Sequence, residues 1–210
     1  DDVREVLLDP KVFRPDNALT AFTPIGVQAL RTLSTVGFAL PPTLANNGND
    51  THRVIRQTVA RYFSPARVDE ARALTSELNM MRLREVDRLL AQGETVDLVQ
   101  SVVGEVPALV LFELLGLVDV DLPQLKAWSI DSLELFWGPP DVARQLELSA
   151  SAADFYGWLR TLTRASRNLR GSAFFSDLVA LGLRDEEVCA IGYFLLIAGQ
   201  ETTCQLISTI

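Results

Sequence analysis

Histidine and cysteine are scarce in this sequence, which contains one histidine and two cysteines in 210 residues. Cys189 and Cys204 lie in one predicted helix, where a rise of about 1.5 Å per residue separates them by roughly 22 Å. This separation excludes a disulfide, because bridged Cα atoms lie within about 7 Å of each other. One histidine and two distant cysteines also cannot form a zinc site. Free thiols are typical of a reducing cytoplasm, where we expect the protein to act.

Basic residues and long apolar runs are scarce as well. The 19 lysines and arginines are outnumbered by 27 aspartates and glutamates, for a formal charge of −8. This balance argues against a nucleic-acid partner, since nucleic-acid-binding proteins present basic surfaces. The longest apolar run covers residues 188–199, and runs of about 10–14 residues are more typical of a core helix than of a membrane span. No basic and apolar leader is visible at Asp1-Asp2, so we expect neither a membrane partner nor an export signal.

The remaining composition, with 48% hydrophobic and 22% charged residues, is that of one globular domain over residues 1–210. Helical periodicity predicts a short helix over 3–8 that Pro10 ends, a helix over 50–63 capped by Asp50 or Thr51, and a helix that Ser64 and Pro65 begin. That helix continues to residue 91, and further helices are predicted up to Leu117 and over 121–137, 140–168, 174–182 and 185–210. Residues 96–99 are interpreted as a short strand. The prediction is a mainly α fold with a small β component.

The last predicted helix has no glycine, proline or basic residue after Leu206 that would end it. We therefore expect the chain to end at Ile210 inside a helix and to be a piece of a longer protein.

Residues 14–49 show no sustained periodicity and contain four prolines. A structureless segment of that length is uncommon in a compact domain and is usually functional or disordered. Six apolar residues argue against disorder: Phe22, Ile25, Leu33, Phe38, Leu40 and Leu44. Two alternatives stay open, a variable binding loop and a partly helical segment packed on the core.

The most informative segment is residues 198–203, Ala-Gly-Gln-Glu-Thr-Thr, which follows directly on the apolar run. A buried carboxylate costs several kcal/mol unless it is paired, and an interior helical glycine costs about 1 kcal/mol against alanine. A proton-donating pair beside small residues indicates a site where a ligand lies close to this helix. The alternative is a structural carboxylate at Glu201 beside Thr202 bonded back to the carbonyl of Ala198.

His52 and Arg56 are four residues apart on a predicted helix, so both side chains lie on one face. Nitrogen donors at that spacing suit a ligand with carboxylates, which arginine can bind with two hydrogen bonds. The alternative is a capping histidine beside a solvated arginine.

Three segments together resemble the bacterial haem-thiolate monooxygenases, the cytochrome P450 family. They are residues 2–13, the helix that runs from His52 and Arg56 to Ser64-Pro65, and residues 198–203. The resemblance spans the chain from an early helix to the long central helix, and it implies the helical cytochrome P450 fold.

The resemblance also implies roles for single residues. His52 and Arg56 would bind the haem propionates, and Ala198 and Gly199 would leave room over the iron for dioxygen and substrate. Glu201 and Thr202 would deliver the protons that O–O cleavage requires. Substrate contacts would come from residues 22–44 and 128–137, with these particular positions: Phe38, Leu40, Leu195 and Ala198. Aromatic residues at helical spacing can equally belong to the core.

By the same resemblance the protein would insert one oxygen atom of O2 into a small organic substrate, in bacterial secondary or xenobiotic metabolism. Electrons would come from a ferredoxin-type donor that faces Arg53, Arg61 and Arg67. The family's haem-ligating cysteine has no counterpart in this chain, and Glu85 and Arg88 are interpreted as a surface pair. The alternatives are a haem-free relative that activates a partner enzyme and, thirdly, a helical bundle that matches by chance.

Overall fold

The computed structural model describes residues 2–9, 11–168 and 171–209. Nine α-helices and one π-helix fall in these ranges, and Pro10 and Ile210, to which the sequence analysis assigns helix ends, lie outside them. The α-helices are α1 (Asp2–Leu8), α2 (Val27–Thr35), α3 (Thr51–Tyr62), α4 (Pro65–Ala91), α5 (Val106–Leu115), α6 (Leu122–Trp137), α7 (Val142–Arg167), α8 (Ala173–Ala180) and α9 (Asp185–Ser208).

No strand occurs within the described ranges, so the short strand predicted over residues 96–99 is wrong, and the small β component is not found there. Residues 94–97 are irregular, and the π-helix Val99–Val103 follows almost at once. Val96 and Val99 raise the β-propensity of this segment, but no partner strand lies beside it in the described ranges, and the π-helix packs against α4, α5 and α9.

Capping side chains decide where several helices begin. The Ser64 hydroxyl accepts a hydrogen bond from the Arg67 amide at 3.5 Å, and Pro65 occupies the first helical position, as predicted. Asp121 and Asp141 accept equivalent bonds at the starts of α6 and α7. Helix α3 begins directly after Asp50, although that side chain makes no capping hydrogen bond.

The segment 14–49 contains the nine-residue helix α2. Ala29 and Leu33 are buried on one side of it, and α2 packs against α7. Of the two alternatives left open by the sequence, partly helical packing is therefore the one that the structure shows.

Helix α9 lies at the centre of the molecule, packed against α5, α6, α7 and α8. Most of the apolar run 188–199 is buried, as predicted, and four half-buried positions interrupt it: Phe194, Leu195, Ala198 and Gly199. Their spacing forms one stripe along α9. Within the apolar run, that stripe is the part of α9 that its neighbours leave partly uncovered.

Gly192 and Gly157 offer a matched test of this packing. A Cβ at Gly192 would lie 2.8 Å from Phe175 Cζ and 3.0 Å from Leu159 Cδ2, whereas nothing lies within 4 Å of a Cβ at Gly157. We expect Gly192→Ala to lower the free energy of unfolding by about 1–3 kcal/mol through overpacking. Gly157→Ala should raise it by about 0.5–1 kcal/mol through helix propensity. Urea unfolding of both variants measures the difference, and equal changes would contradict the packing described.

Candidate functional site

A large cavity with a volume of about 840 Å³ lies between α3, the preceding loop and α9. Helix α3 contributes His52, Arg56, Val59 and Ala60, and α9 contributes Phe194 and Leu195. The loop contributes residues 44, 45 and 47–49, with Pro15 beside them. The tertiary structure therefore brings the predicted His52 and Arg56 pair to the same cavity as the central helix.

Among the described residues, His52 and Arg56 are the charged or titratable side chains that line this cavity, and none of the lining residues is a carboxylate. His52 is half-buried and Arg56 is exposed at the cavity mouth. Within the described ranges, neither side chain forms an ion pair or a hydrogen bond. Two uncommitted nitrogen donors beside apolar walls suit an apolar ligand that carries carboxylates.

The loop that lines the cavity is fixed by hydrogen bonds of Asn47, a residue that the sequence analysis did not single out. Its amide nitrogen donates to the Thr43 carbonyl at 3.0 Å and to the Thr51 hydroxyl at 3.1 Å. Its amide oxygen accepts from the Asn49 backbone at 2.9 Å. These bonds tie the loop to the first turn of α3, and the run of asparagines before that helix is the sequence signal for them.

Thr202 lies two turns beyond Leu195 on α9, so helical geometry places both on the same face. The Thr202 side chain is exposed, and its hydroxyl donates to the carbonyl of Ala198. This is the back-bonded geometry of the alternative interpretation. It leaves the hydroxyl oxygen on the uncovered stripe of α9.

Gly199 has a packing reason for its lack of a side chain. A Cβ there would lie 2.9 Å from Leu111 Cδ2 of α5. Gly199 lines a second, apolar cavity of about 290 Å³ together with Thr203 and Ile207. Phe63 lines both cavities, so they adjoin along α9.

Glu201 forms an ion pair with Lys126 of α6, with Lys126 Nζ 3.2 Å from Glu201 Oε1. The two side chains are 19% and 18% exposed, so the pair is largely withdrawn from water. The neighbouring Gln200 is buried and donates to the Ser129 hydroxyl of α6 at 2.8 Å. Sequence reasoning missed both α6 partners, because no local pattern links positions some 70 residues apart.

The predicted substrate contacts separate into two groups. Leu195 lines the large cavity, and Ala198 belongs to the adjoining stripe of α9. Phe38 instead packs in an aromatic cluster, with ring centroids 4.9 Å from Tyr156 and 5.3 Å from Tyr193. Leu40 also packs against the core, and neither residue lines a described cavity. Phe38 therefore lies in the core, which is the alternative that the sequence analysis left open for aromatic residues.

The three arginines that the sequence predicts to face an electron donor differ in their contacts. Arg61 lies 3.6 Å from Asp177, and Arg67 donates to the Leu114 carbonyl at 2.9 Å. Arg53 is exposed and has no such partner in the described ranges. Asp177 also accepts a hydrogen bond from the Tyr62 hydroxyl at 2.9 Å. Burial of the phenol, together with this hydrogen bond, raises the pKa of Tyr62 to about 12.

Both cysteines are free and buried, and neither lines a described cavity. Burial raises the pKa of the Cys189 and Cys204 thiols, which keeps them protonated and poor as metal ligands. His52, Arg56 and the apolar lining of the large cavity would therefore fit the carboxylates and apolar ring of a haem, whereas neither thiol would hold its iron.

Glu85 and Arg88 form the predicted surface pair at 2.6 Å. None of the described helices combines the length and apolarity that a membrane crossing requires.

No protein-family model matches the chain. It is 30% identical to the cytochrome P450 monooxygenase PikC of Streptomyces venezuelae, over 99% of this chain and 47% of that protein. It is 32% identical to the vitamin D(3) 25-hydroxylase of Pseudonocardia autotrophica, over 74% of this chain and 38% of the relative. Among solved structures, cytochrome P450 CREJ in complex with (4-ethylphenyl) dihydrogen phosphate superposes with a TM-score of 0.87 at 24% identity, over 99% of this chain and 52% of that one.

These likenesses confirm the predicted helical fold. They also show that the chain spans less than half the length of the curated relatives named.

Proposed function

Because this chain belongs to the cytochrome P450 family, we propose that it is part of a haem-dependent monooxygenase that inserts one oxygen atom of O2 into a small organic substrate. The observation that supports this most strongly is the cavity where the uncommitted His52 and Arg56 face α9. The alternative, a haem-free protein that activates a partner enzyme, leaves these donors without a ligand.

His52 and Arg56 would hold the haem propionates, and the apolar lining of the cavity would contact the porphyrin. The haem, when bound through a thiolate from elsewhere in the protein, supplies the redox chemistry that activates dioxygen. The carboxylate-free lining of the cavity also avoids charge repulsion with the propionates.

Glu201 and Thr202 would supply protons to this chemistry. The Thr202 hydroxyl holds a proton on the uncovered face of α9, and the Ala198 carbonyl accepts it in the present geometry. The carboxylate of Glu201 is one residue away and is held by Lys126. In this proposal the Glu201 carboxylate, which stays partly exposed, takes up a proton from solvent and passes it to the Thr202 oxygen after Thr202 has given up its own proton.

The substrate and partners follow from the same proposal. The apolar stripe with Leu195 and Ala198 suits an apolar or mixed substrate, consistent with a role in bacterial secondary or xenobiotic metabolism. We assign Arg53 to the surface that meets a ferredoxin-type electron donor, because it is exposed and uncommitted in the described ranges. Buried free thiols favour the cytoplasm as its location.

The carbon monoxide difference spectrum of the reduced full-length protein tests the proposal. We expect haem uptake and the red-shifted absorption band that thiolate-ligated iron gives with carbon monoxide. A folded full-length protein that takes up no haem would overturn the proposal and favour the haem-free alternative.

Thr202→Ala tests the proton-delivery role separately from haem binding. We expect unchanged haem content, but product formed per electron pair should fall by roughly tenfold or more, with a matching rise in peroxide, since a positioned proton donor contributes about 10²–10⁴ in rate. The control is Thr203→Ala, which removes a hydroxyl bonded in the same manner to Gly199 at 3.2 Å. Equal coupling in the two variants would show that Thr202 has no special role.

A further inference from the structure

A small polar pocket of about 130 Å³ lies apart from the two cavities described above. It is lined by Gly37, by Tyr156 and Arg160 of α7, and by Asp185 and Glu186 at the start of α9, and Gly37 and Glu186 lie at its exposed side. Gly37 has a φ of +63°, a backbone conformation that residues with a side chain rarely adopt. The glycine therefore lets the segment after α2 turn beside Arg160. The pocket therefore joins three parts of the fold at one point.

The hydroxyl of Tyr156 is buried at this pocket, and among the described residues its proton has no acceptor. The residue is 1% exposed, and its ring is held by Phe38 at a centroid distance of 4.9 Å. Burial raises the pKa of Tyr156 to about 12, although a backbone hydrogen bond from Ala39 to the phenol oxygen acts in the opposite direction. The phenol therefore keeps its proton at neutral pH, and that proton still needs an acceptor. A buried donor left unpaired destabilises a fold, so this hydroxyl calls for an acceptor.

The charges around the pocket exclude most classes of ligand. Arg160 uses one nitrogen to donate to the Val36 carbonyl at 2.6 Å and keeps further N–H donors. Asp185 pairs with Arg167 at 2.6 Å, whereas Glu186 has no ion pair in the described part of the chain. The guanidinium repels a cation and the two carboxylates repel an anion. Together they favour a neutral molecule that both donates and accepts hydrogen bonds.

We infer that the pocket holds a cluster of ordered water molecules that joins the Tyr156 hydroxyl to Glu186 and Arg160. A volume of 130 Å³ corresponds to about four waters at roughly 30 Å³ each. The waters fasten the segment around Gly37 to α7 and α9. That segment carries Phe38, so the cluster also holds this ring in the aromatic core.

Tyr156→Phe, compared with Tyr193→Phe in the full-length protein, tests this inference. Tyr193 is equally buried, but its hydroxyl donates directly to Ser132 at 2.6 Å. We expect the Tm to fall by about 1–3 °C in both variants, because each loses a hydrogen bond. If the Tyr156 hydroxyl were dry and unpaired, Tyr156→Phe would leave the Tm unchanged or raise it, which would overturn the inference.

Two further measurements identify the link itself. Glu186→Ala combined with Tyr156→Phe should lower the Tm by less than the sum of the single changes, because both residues share one water cluster. Strict additivity would overturn the link to Glu186. A high-resolution crystal structure should show a water within about 3.2 Å of the Tyr156 hydroxyl, placed to accept its proton, whereas a protein group that accepts that proton would contradict the inference.

Discussion

Phe155→Ala is expected to lower the free energy of unfolding by about 3–5 kcal/mol, since truncating a buried aromatic ring removes its contacts and leaves a cavity. Phe155 is 0% exposed on α7 and lies at the centre of an aromatic cluster. Its ring centroid is 4.8 Å from Tyr193 and 5.4 Å from Trp128. The change therefore weakens the contacts of α7 with both α6 and α9.

The control for this change is Phe22→Ala, which makes the same truncation at a ring that is 79% exposed. We expect it to change the free energy of unfolding by less than about 0.5 kcal/mol. Denaturant unfolding of the full-length protein measures both. Similar losses in the two variants would mean that the α7 cluster is not the core of this half of the molecule.

Arg56→Ala is expected to accelerate haem loss from the full-length protein by roughly ten- to a hundredfold. A hydrogen bond to a charged group contributes about 1.5–3 kcal/mol, and Arg56 is the guanidinium at the mouth of the large cavity. Haem transfer to an excess of apomyoglobin measures the rate of loss. The effect should be largest at low ionic strength, because part of it is the attraction between opposite charges.

Arg53→Ala provides the control because it removes the same charge from the same helix. Arg53 is exposed and does not line the cavity. It should leave haem retention within about twofold of the parent protein, as expected for a surface charge outside the binding site. Equal loss rates in the two variants would show that Arg56 has no direct contact with the propionates.

Local chemistry made the helices predictable. The start of α4 at Pro65 follows from the Ser64 cap, and burial of the 188–199 run follows from its lack of charge. Helix α2 was harder to predict, because the prolines around it hide a nine-residue helix whose burial depends on contact with α7. The strand prediction at 96–99 failed because β-propensity decides little without a partner strand.

The sequence by itself determined the helical composition, the Ser64 cap of α4 and the residue types of the two motifs, because these depend on neighbours within a few positions along the chain. Only the tertiary structure decided that His52 and Arg56 face Leu195 across one cavity. It also decided that Glu201 pairs with Lys126 and that Leu111 fills the space beside Gly199. These contacts join positions that are distant in sequence, and burial and charge pairing select them only when the helices pack together.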